Sequence, residues 1–202
     1  MEKILIHIKQ LNITNDYINL NATLVVNTLQ VYHYILIGIA VIWFIVIVSV
    51  SWSIIKGAPY SPTRMEKVHN MLKLTNLKSG ELIYDLGCGD GRILITAARH
   101  FNAQAVGIEI DPFRYLWCQF LISILRLRKK VRVLYGNLFT LDISEADVVV
   151  CYLLQKTNDK LEDKLKEELQ SNSRIVSNKF LFSSLTAIHK DSDQGIYVYK
   201  ID

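Results

Sequence analysis

The chain has 202 residues, half of them hydrophobic and 21% charged, with a formal net charge of +4 at neutral pH. That length holds one domain of ordinary size plus an appendage, and the hydrophobic share is high for a purely soluble protein. Three cysteines, Cys88, Cys118 and Cys151, lie far apart with no C-x-x-C spacing, so neither a zinc site nor a disulfide framework is indicated, and no metal is expected.

Residues 1–33 are Asn-rich, show no catalytic constellation and read as a short N-terminal segment. From Ile35 to Ile55 there is no charged residue. About 20 apolar residues cross a bilayer core as a helix, so one transmembrane helix is predicted over residues 34–55. A cleaved signal peptide fits poorly, because more than thirty residues precede the run and no basic segment abuts it. A mitochondrial transit peptide also fits poorly, since the first arginine is Arg64. Lys56, Arg64, Lys67 and Lys73 follow the run, whereas the nearest basic residue before it is Lys9. This asymmetry predicts a single-pass protein of the cell membrane, with residues 1–33 outside and the C-terminal domain cytoplasmic. The N-x-T triplets at Asn12 and Asn21 fall on the expected outer side.

Residues 56–63 carry two of the three prolines and read as a linker, and residues 64–202 as one domain. There strand and helix patterns alternate. A helix over 64–74 is expected to start at Thr63 as N-cap, with Glu66 three residues on. Strands are expected over 81–87, 104–110, 131–136, 146–154 and 173–180. Helices are expected over 91–101, 112–127 and 156–170, the second opened by Pro112. Two last strands, 185–190 and 195–201, flank a polar turn with no room for a helix, so they pair antiparallel. The fold class is α/β: a doubly wound, mostly parallel sheet with an antiparallel C-terminal strand pair, preceded by one transmembrane helix. The basic run Arg126–Arg132 is either a solvated helix end or a contact for anionic lipid or RNA.

The stretch Tyr84-Asp-Leu-Gly-Cys-Gly-Asp-Gly-Arg92 follows the first strand, where a doubly wound sheet binds its ligand. It lacks the Gly-Lys-Ser/Thr of a Walker loop. Its G-x-G-x-G spacing differs from that of a dinucleotide loop, and Asp90 would face a pyrophosphate with like charge. With Asp85 and Asp90 beside Gly87, Gly89 and Gly91, the loop suits a cationic ligand, and S-adenosylmethionine is the expected cofactor. Glu109, at the end of the second strand, is the acid expected about 20 residues on to accept from the ribose hydroxyls. Asn137 stands where an adenine reader would lie, or is a turn residue after Gly136. Tyr152 either lines the channel to the sulfonium or is an ordinary sheet-end tyrosine.

These motifs resemble those of class I, seven-β-strand methyltransferases. More narrowly, "GAPYSPT", "RMEKVHNML", "CYLL" and "SRIVSNKF" resemble a group of archaeal broad-specificity protein lysine methyltransferases and mitochondrial enzymes that methylate ATP synthase c-subunit and adenine nucleotide translocase. The resemblance covers residues 57–202. It implies S-adenosylmethionine as cofactor, a protein with an accessible lysine as acceptor, and no nucleic-acid partner. Residue reading and resemblance together put Thr63, Asp85, Gly87, Gly89, Gly91, Glu109, Asn137 and Leu138 around the cofactor. They put Tyr60, Tyr152 and Asn178 along the substrate channel and name no general base. The family pattern at the end of strand five is close to Ser-His-acidic-Phe, whereas this chain has Ser177-Asn178-Lys179-Phe180. Rival readings are methyl transfer to RNA, lipid or a small molecule, and a non-catalytic cofactor-binding module.

Overall fold

The computed structural model describes residues 1–55 and 61–202, with side chains for residues 1, 23–48, 51 and 61–202. It has two compact units, Met1–Val48 and Ser49–Asp202. The first holds most of α1 (Glu2–Ile55), one helix of 54 residues. The helix runs through residues 2–33 as well as through the apolar run. The apolar stretch long enough to cross a membrane is Thr23–Val48, 26 residues, and at 1.5 Å rise per residue it reaches about 39 Å. It starts before the expected span because Asn27, Thr28 and Gln30 dilute the apolar pattern without adding charge. The Thr28 hydroxyl is satisfied inside the helix, donating to the Leu24 carbonyl at 2.8 Å.

The second unit alternates helix and strand: α2 (Met65–Leu74), β1 (Leu82–Leu86), α3 (Arg92–His100), β2 (Gln104–Glu109), α4 (Pro112–Ile124), β3 (Val131–Tyr135), β4 (Val148–Cys151), α5 (Gln155–Glu168), β5 (Arg174–Asn178), β6 (Ala187–Asp191) and β7 (Ile196–Lys200). They build a seven-stranded sheet in the order β3-β2-β1-β4-β5-β7-β6. β3, β2, β1, β4 and β5 are parallel. β7 lies antiparallel between β5 and β6, as the short polar connection requires.

Period-two alternation sends successive side chains to opposite faces of the sheet. Ile83, Val148, Val150, Val176 and Val198 join one apolar cluster with Val68, Met71, Leu94, Ala97, Cys118 and Ile122 from α2, α3 and α4. Tyr84, Leu86, Val149, Ile175 and Tyr199 join the other, with Leu161 and Leu165 of α5. The sheet is thus covered on both faces, which explains why its central strands are near-continuous runs of apolar residues.

Two expected helix boundaries are corrected. The N-cap of α2 is Arg64, with no side-chain cap bond; the Thr63 hydroxyl instead accepts from Asn178 Nδ2 at 3.2 Å. α4 ends at Ile124, three residues before the expected limit, because Arg126 takes a left-handed φ of 57°. Arg126 N then donates to Ser123 O and Leu127 N to Ile122 O, which stops the helix with the bond pattern usually closed by glycine.

Candidate active site

β1 and β4 are neighbours whose connections leave in opposite directions, one through α3 to β2 and the other through α5 to β5. At such a switch point the carboxyl ends of the strands open a crevice. A cleft lies there, lined by Ser61–Thr63, the glycine loop, and the ends of β2, β3 and β4.

The loop is built on its glycines. Gly87, Gly89 and Gly91 have φ of 85°, 56° and 77°, left-handed values that cost other residues about 1–2 kcal/mol. A Cβ on Gly91 would meet Cys118 Sγ at 2.3 Å, and one on Gly87 would meet the Leu153 side chain at 3.3 Å. Gly87 N and Cys88 N donate to Ile108 O at 2.9 and 3.0 Å, tying the loop to β2. The Cys88 thiol is held well above its usual range, first by its hydrogen bond to Cys118 and then by burial. It serves as packing and not as a nucleophile.

The acids divide into three environments. Asp85 is buried, 3% exposed, and its Oδ2 has no hydrogen-bond partner. Burial, then Glu109, then Asp90 push its carboxyl up to about 8. Glu109 is buried too, but Oε2 accepts from Gly89 N at 2.8 Å, and Oε1 from Ile110 N and Asp111 N at 3.0 and 2.9 Å. A carboxylate offers about four acceptor positions, so these three bonds leave about one, fewer than acceptance from both ribose hydroxyls assumes. Asp90 is bridged by Arg92: Nε lies 2.9 Å from Oδ1 and Nη2 2.5 Å from Oδ2. The negative character expected of Asp90 is therefore answered within the loop, and the acidity facing the cleft comes from Asp85 and Glu109.

Of the other expected residues, Thr63, Asn137, Leu138 and Tyr152 line the cleft. Thr63 is fixed twice, by Asn178 and by Arg92, whose Nη1 donates to the Thr63 carbonyl at 2.6 Å. Asn137 is an exposed turn residue whose Oδ1 accepts from Phe139 N at 3.1 Å. The Tyr152 hydroxyl lies 3.1 Å from Ser61 Oγ, joining the end of β4 to residues 61–63. Asn178 is buried and is not on the cleft wall; it stands behind Thr63, and its Oδ1 is unpartnered. Tyr60 and the rest of Lys56–Tyr60 lie outside the described residues.

Sequence reasoning missed Arg92, Arg114, Ser61 and Thr157, all of which line the cleft. Only Arg92 carried a signal: an Asp-x-Arg spacing at the start of a helix. Among the described residues no group of three or more His, Cys, Asp or Glu is placed to hold a metal ion.

A buried carboxylate oxygen without a donor, beside backbone stripped of side chains, fits a ligand that brings positive charge and comes close to the main chain. The family model of the ANTKMT methyltransferase domain matches residues 85–189, more than half of the chain and most of this cleft. The chain belongs to the ANTKMT methyltransferase domain family.

Its similarity to known proteins agrees. A protein-lysine N-methyltransferase of Saccharolobus islandicus is 41% identical over 129 residues, 63% of this chain and 80% of that enzyme. The lysine N-methyltransferase of the ATP synthase c-subunit from Xenopus laevis is 31% identical over 131 residues, 65% of this chain but 57% of that enzyme. A crystal structure of an RNA methyltransferase from Salinibacter ruber with S-adenosyl-L-homocysteine superposes with a TM-score of 0.66 at 38% identity, covering 70% of this chain and 92% of that one. The cofactor of this ANTKMT-family chain is S-adenosylmethionine, and the seven-stranded methyltransferase fold expected from its sequence is the fold it has.

Proposed function

We propose that the chain transfers methyl groups from S-adenosylmethionine to lysine side chains of proteins at a membrane. The observation that carries this reading is the 41% identity with the archaeal protein-lysine N-methyltransferase across 80% of that enzyme. The vertebrate relative, named for the ATP synthase c-subunit, points to an acceptor in a membrane assembly.

When bound, the cofactor supplies an electrophilic methyl carbon on a cationic sulfur. The Glu109 carboxylate and Asp85, which would ionise against a bound cation, stand at the floor of the cleft to receive its cationic and hydroxyl groups, and the glycine loop would admit it to the backbone. Asn137 and Leu138 border the place for its base. The acceptor must arrive as a neutral amine, which at neutral pH costs a lysine about 4–5 kcal/mol. Desolvation in the cleft and the nearby positive sulfur lower that cost. Bound there, the cofactor would supply that methyl carbon and keep the S–C electron pair as the amine bonds to it, and the surplus proton would pass to water. No side chain is required as a base, and the protein's task is alignment. Tyr152 presents an aromatic wall to the lysine stem, and Tyr60 is the second aromatic candidate for that role. Thr63, braced by Asn178 and Arg92, fixes residues 61–63 beside Tyr152.

α1 anchors the enzyme through its apolar stretch Thr23–Val48, and the Lys/Arg asymmetry orients the residues before Thr23 outside with the catalytic domain in the cytoplasm. Protease added to intact cells is then expected to spare the C-terminal domain; its digestion would reverse the orientation. Methyl transfer from labelled cofactor to a membrane extract tests the acceptor. Label on lysine, found by mass spectrometry of the products, supports this reading. A second reading is RNA as acceptor, favoured by the Salinibacter ruber structure. Nuclease-sensitive label would decide for it and end the lysine proposal.

A further inference from the structure

α4 is apolar on two opposite sides. Cys118 and Ile122 are buried in the core. On the outer side Phe113, Leu116, Trp117, Phe120 and Ile124 recur at helical spacing, all within about 100° of arc, and all stay exposed, Leu116 at 61% and Ile124 at 59%. The Trp117 and Phe120 rings lie side by side, 5.7 Å between centroids. One apolar side meets the core and the other has no cover among the described residues of the domain, and a contiguous exposed patch of this kind marks an interaction surface. Just past the helix, Arg126, Arg128, Lys129 and Arg132 are exposed as well. From Pro112 to Leu141 the sequence contains no acidic residue.

We propose that the outer side of α4 seats in the surface of an anionic bilayer. Its aromatic and aliphatic side chains would enter the boundary between headgroups and acyl chains, with the adjoining basic residues at the lipid phosphates. Charge decides among the occupants. A second copy would set two basic, acid-free faces against each other. An RNA would match the cations and the rings but leave Leu116 and Ile124 in water. An anionic bilayer satisfies both components, and the same chain carries a helix long and apolar enough to cross one. α4 is also wired to the cleft. Asp111 caps its first turn, accepting from Phe113 N and Arg114 N, and Arg114 lines the cleft. Seating α4 therefore fixes the height and tilt of the cleft over the membrane, whatever the acceptor. The proposal extends the membrane reading made above, and the two are separable by which tryptophan meets lipid.

The test uses the full chain carrying Trp43→Phe and Trp52→Phe, which leaves Trp117 as the sole tryptophan. It is reconstituted in vesicles of phosphatidylcholine with or without phosphatidylglycerol, with brominated acyl chains as quencher. Trp117 emission is expected to shift to the blue and be quenched in the anionic vesicles. Quenching is expected to be lost in phosphatidylcholine alone and in a Leu116→Asp, Phe120→Asp variant whose cofactor affinity is unchanged. A companion chain with Trp43 alone reports the anchor: quenched Trp43 with unquenched Trp117 in anionic vesicles overturns the α4 proposal and leaves the anchor standing. Quenching of Trp117 without that of Trp43 does the reverse. Trp117 shielded in lipid-free dimers, or shifted by RNA and not by vesicles, would also overturn it. Should the double variant fail to fold, the comparison of the two lipids still decides.

Discussion

Asp85 ends β1 as a buried acid lacking a donor for one oxygen, and its raised pKa of about 8 makes two sign-definite expectations. In the unfolded chain it ionises near 3.9. Between about pH 4 and pH 8 the folded, ligand-free protein therefore holds a proton that the unfolded chain has released. Folding stability from this group falls as pH rises through that window, by up to about 1.4 kcal/mol per pH unit. Asp85→Asn is expected to flatten that slope in urea titrations from pH 5 to 8; an unchanged slope would show that Asp85 is already ionised. Binding of a cationic cofactor favours the ionised acid, so affinity is expected to rise with pH, up to about tenfold per unit, and to level off near 8. Calorimetry in buffers of different ionisation enthalpy would register the released proton. Glu109 does structural work as well, because its carboxylate holds three backbone N–H groups. Leaving such donors buried and unmet costs about 1–3 kcal/mol each. Glu109→Ala is expected to lose at least about 2 kcal/mol of stability and at least tenfold in cofactor affinity, read by urea unfolding and calorimetry; a stable variant that binds normally would remove Glu109 from both roles. A glycine turn leaving β1 and an acid closing β2 were legible because a sharp turn into a helix calls for glycine at left-handed positions and because the spacing sets the acid at the next strand's end. The pairing of Asp90 with Arg92, and of Thr63 with Asn178 across 115 positions, was not, because each depends on where side chains point after the sheet has formed.

At the scale of elements, the turn from β1 into α3 depends on one position. Gly91 is left-handed, caps α3 and abuts Cys118 of α4. Gly91→Ala combines left-handed strain of about 1–2 kcal/mol with overpacking of about 1–3 kcal/mol. A loss of about 2–5 kcal/mol is expected in urea unfolding, and a variant as stable as the parent would mean that the loop repacks freely. Cys118→Ala in the same background should recover the packing share of the loss while leaving the strain. Strands and helices were legible from periodicity, since both faces of the sheet are covered and every central strand is an apolar run. The end of α4 was not. A sequence reading looks for glycine in the left-handed closing position, and here Arg126 takes it, leaving the apolar pattern to run on past the true stop. The helix of α1 continues ahead of Ile35 because the polar but uncharged Asn27, Thr28 and Gln30 break the hydropathy without breaking the helix.

Over the whole molecule, the sheet and both apolar clusters are complete within the second unit. A fragment from Ser61 to Asp202 is therefore expected to fold cooperatively and to bind S-adenosylmethionine, as judged by near-ultraviolet dichroism and calorimetry; a molten fragment would mean that earlier residues complete the core. The order of the strands has a further consequence, for synthesis. β7 follows β6 in the chain, yet it is interior: it fills the slot between β5 and β6. Until Ile196–Lys200 emerges, β5 has no neighbour on that side, and the nascent chain displays an open strand edge of the kind that recruits chaperones or aggregates. A message truncated before Ile196 would make a protein with its whole glycine loop and both buried acids, yet with a gap in the middle of its sheet.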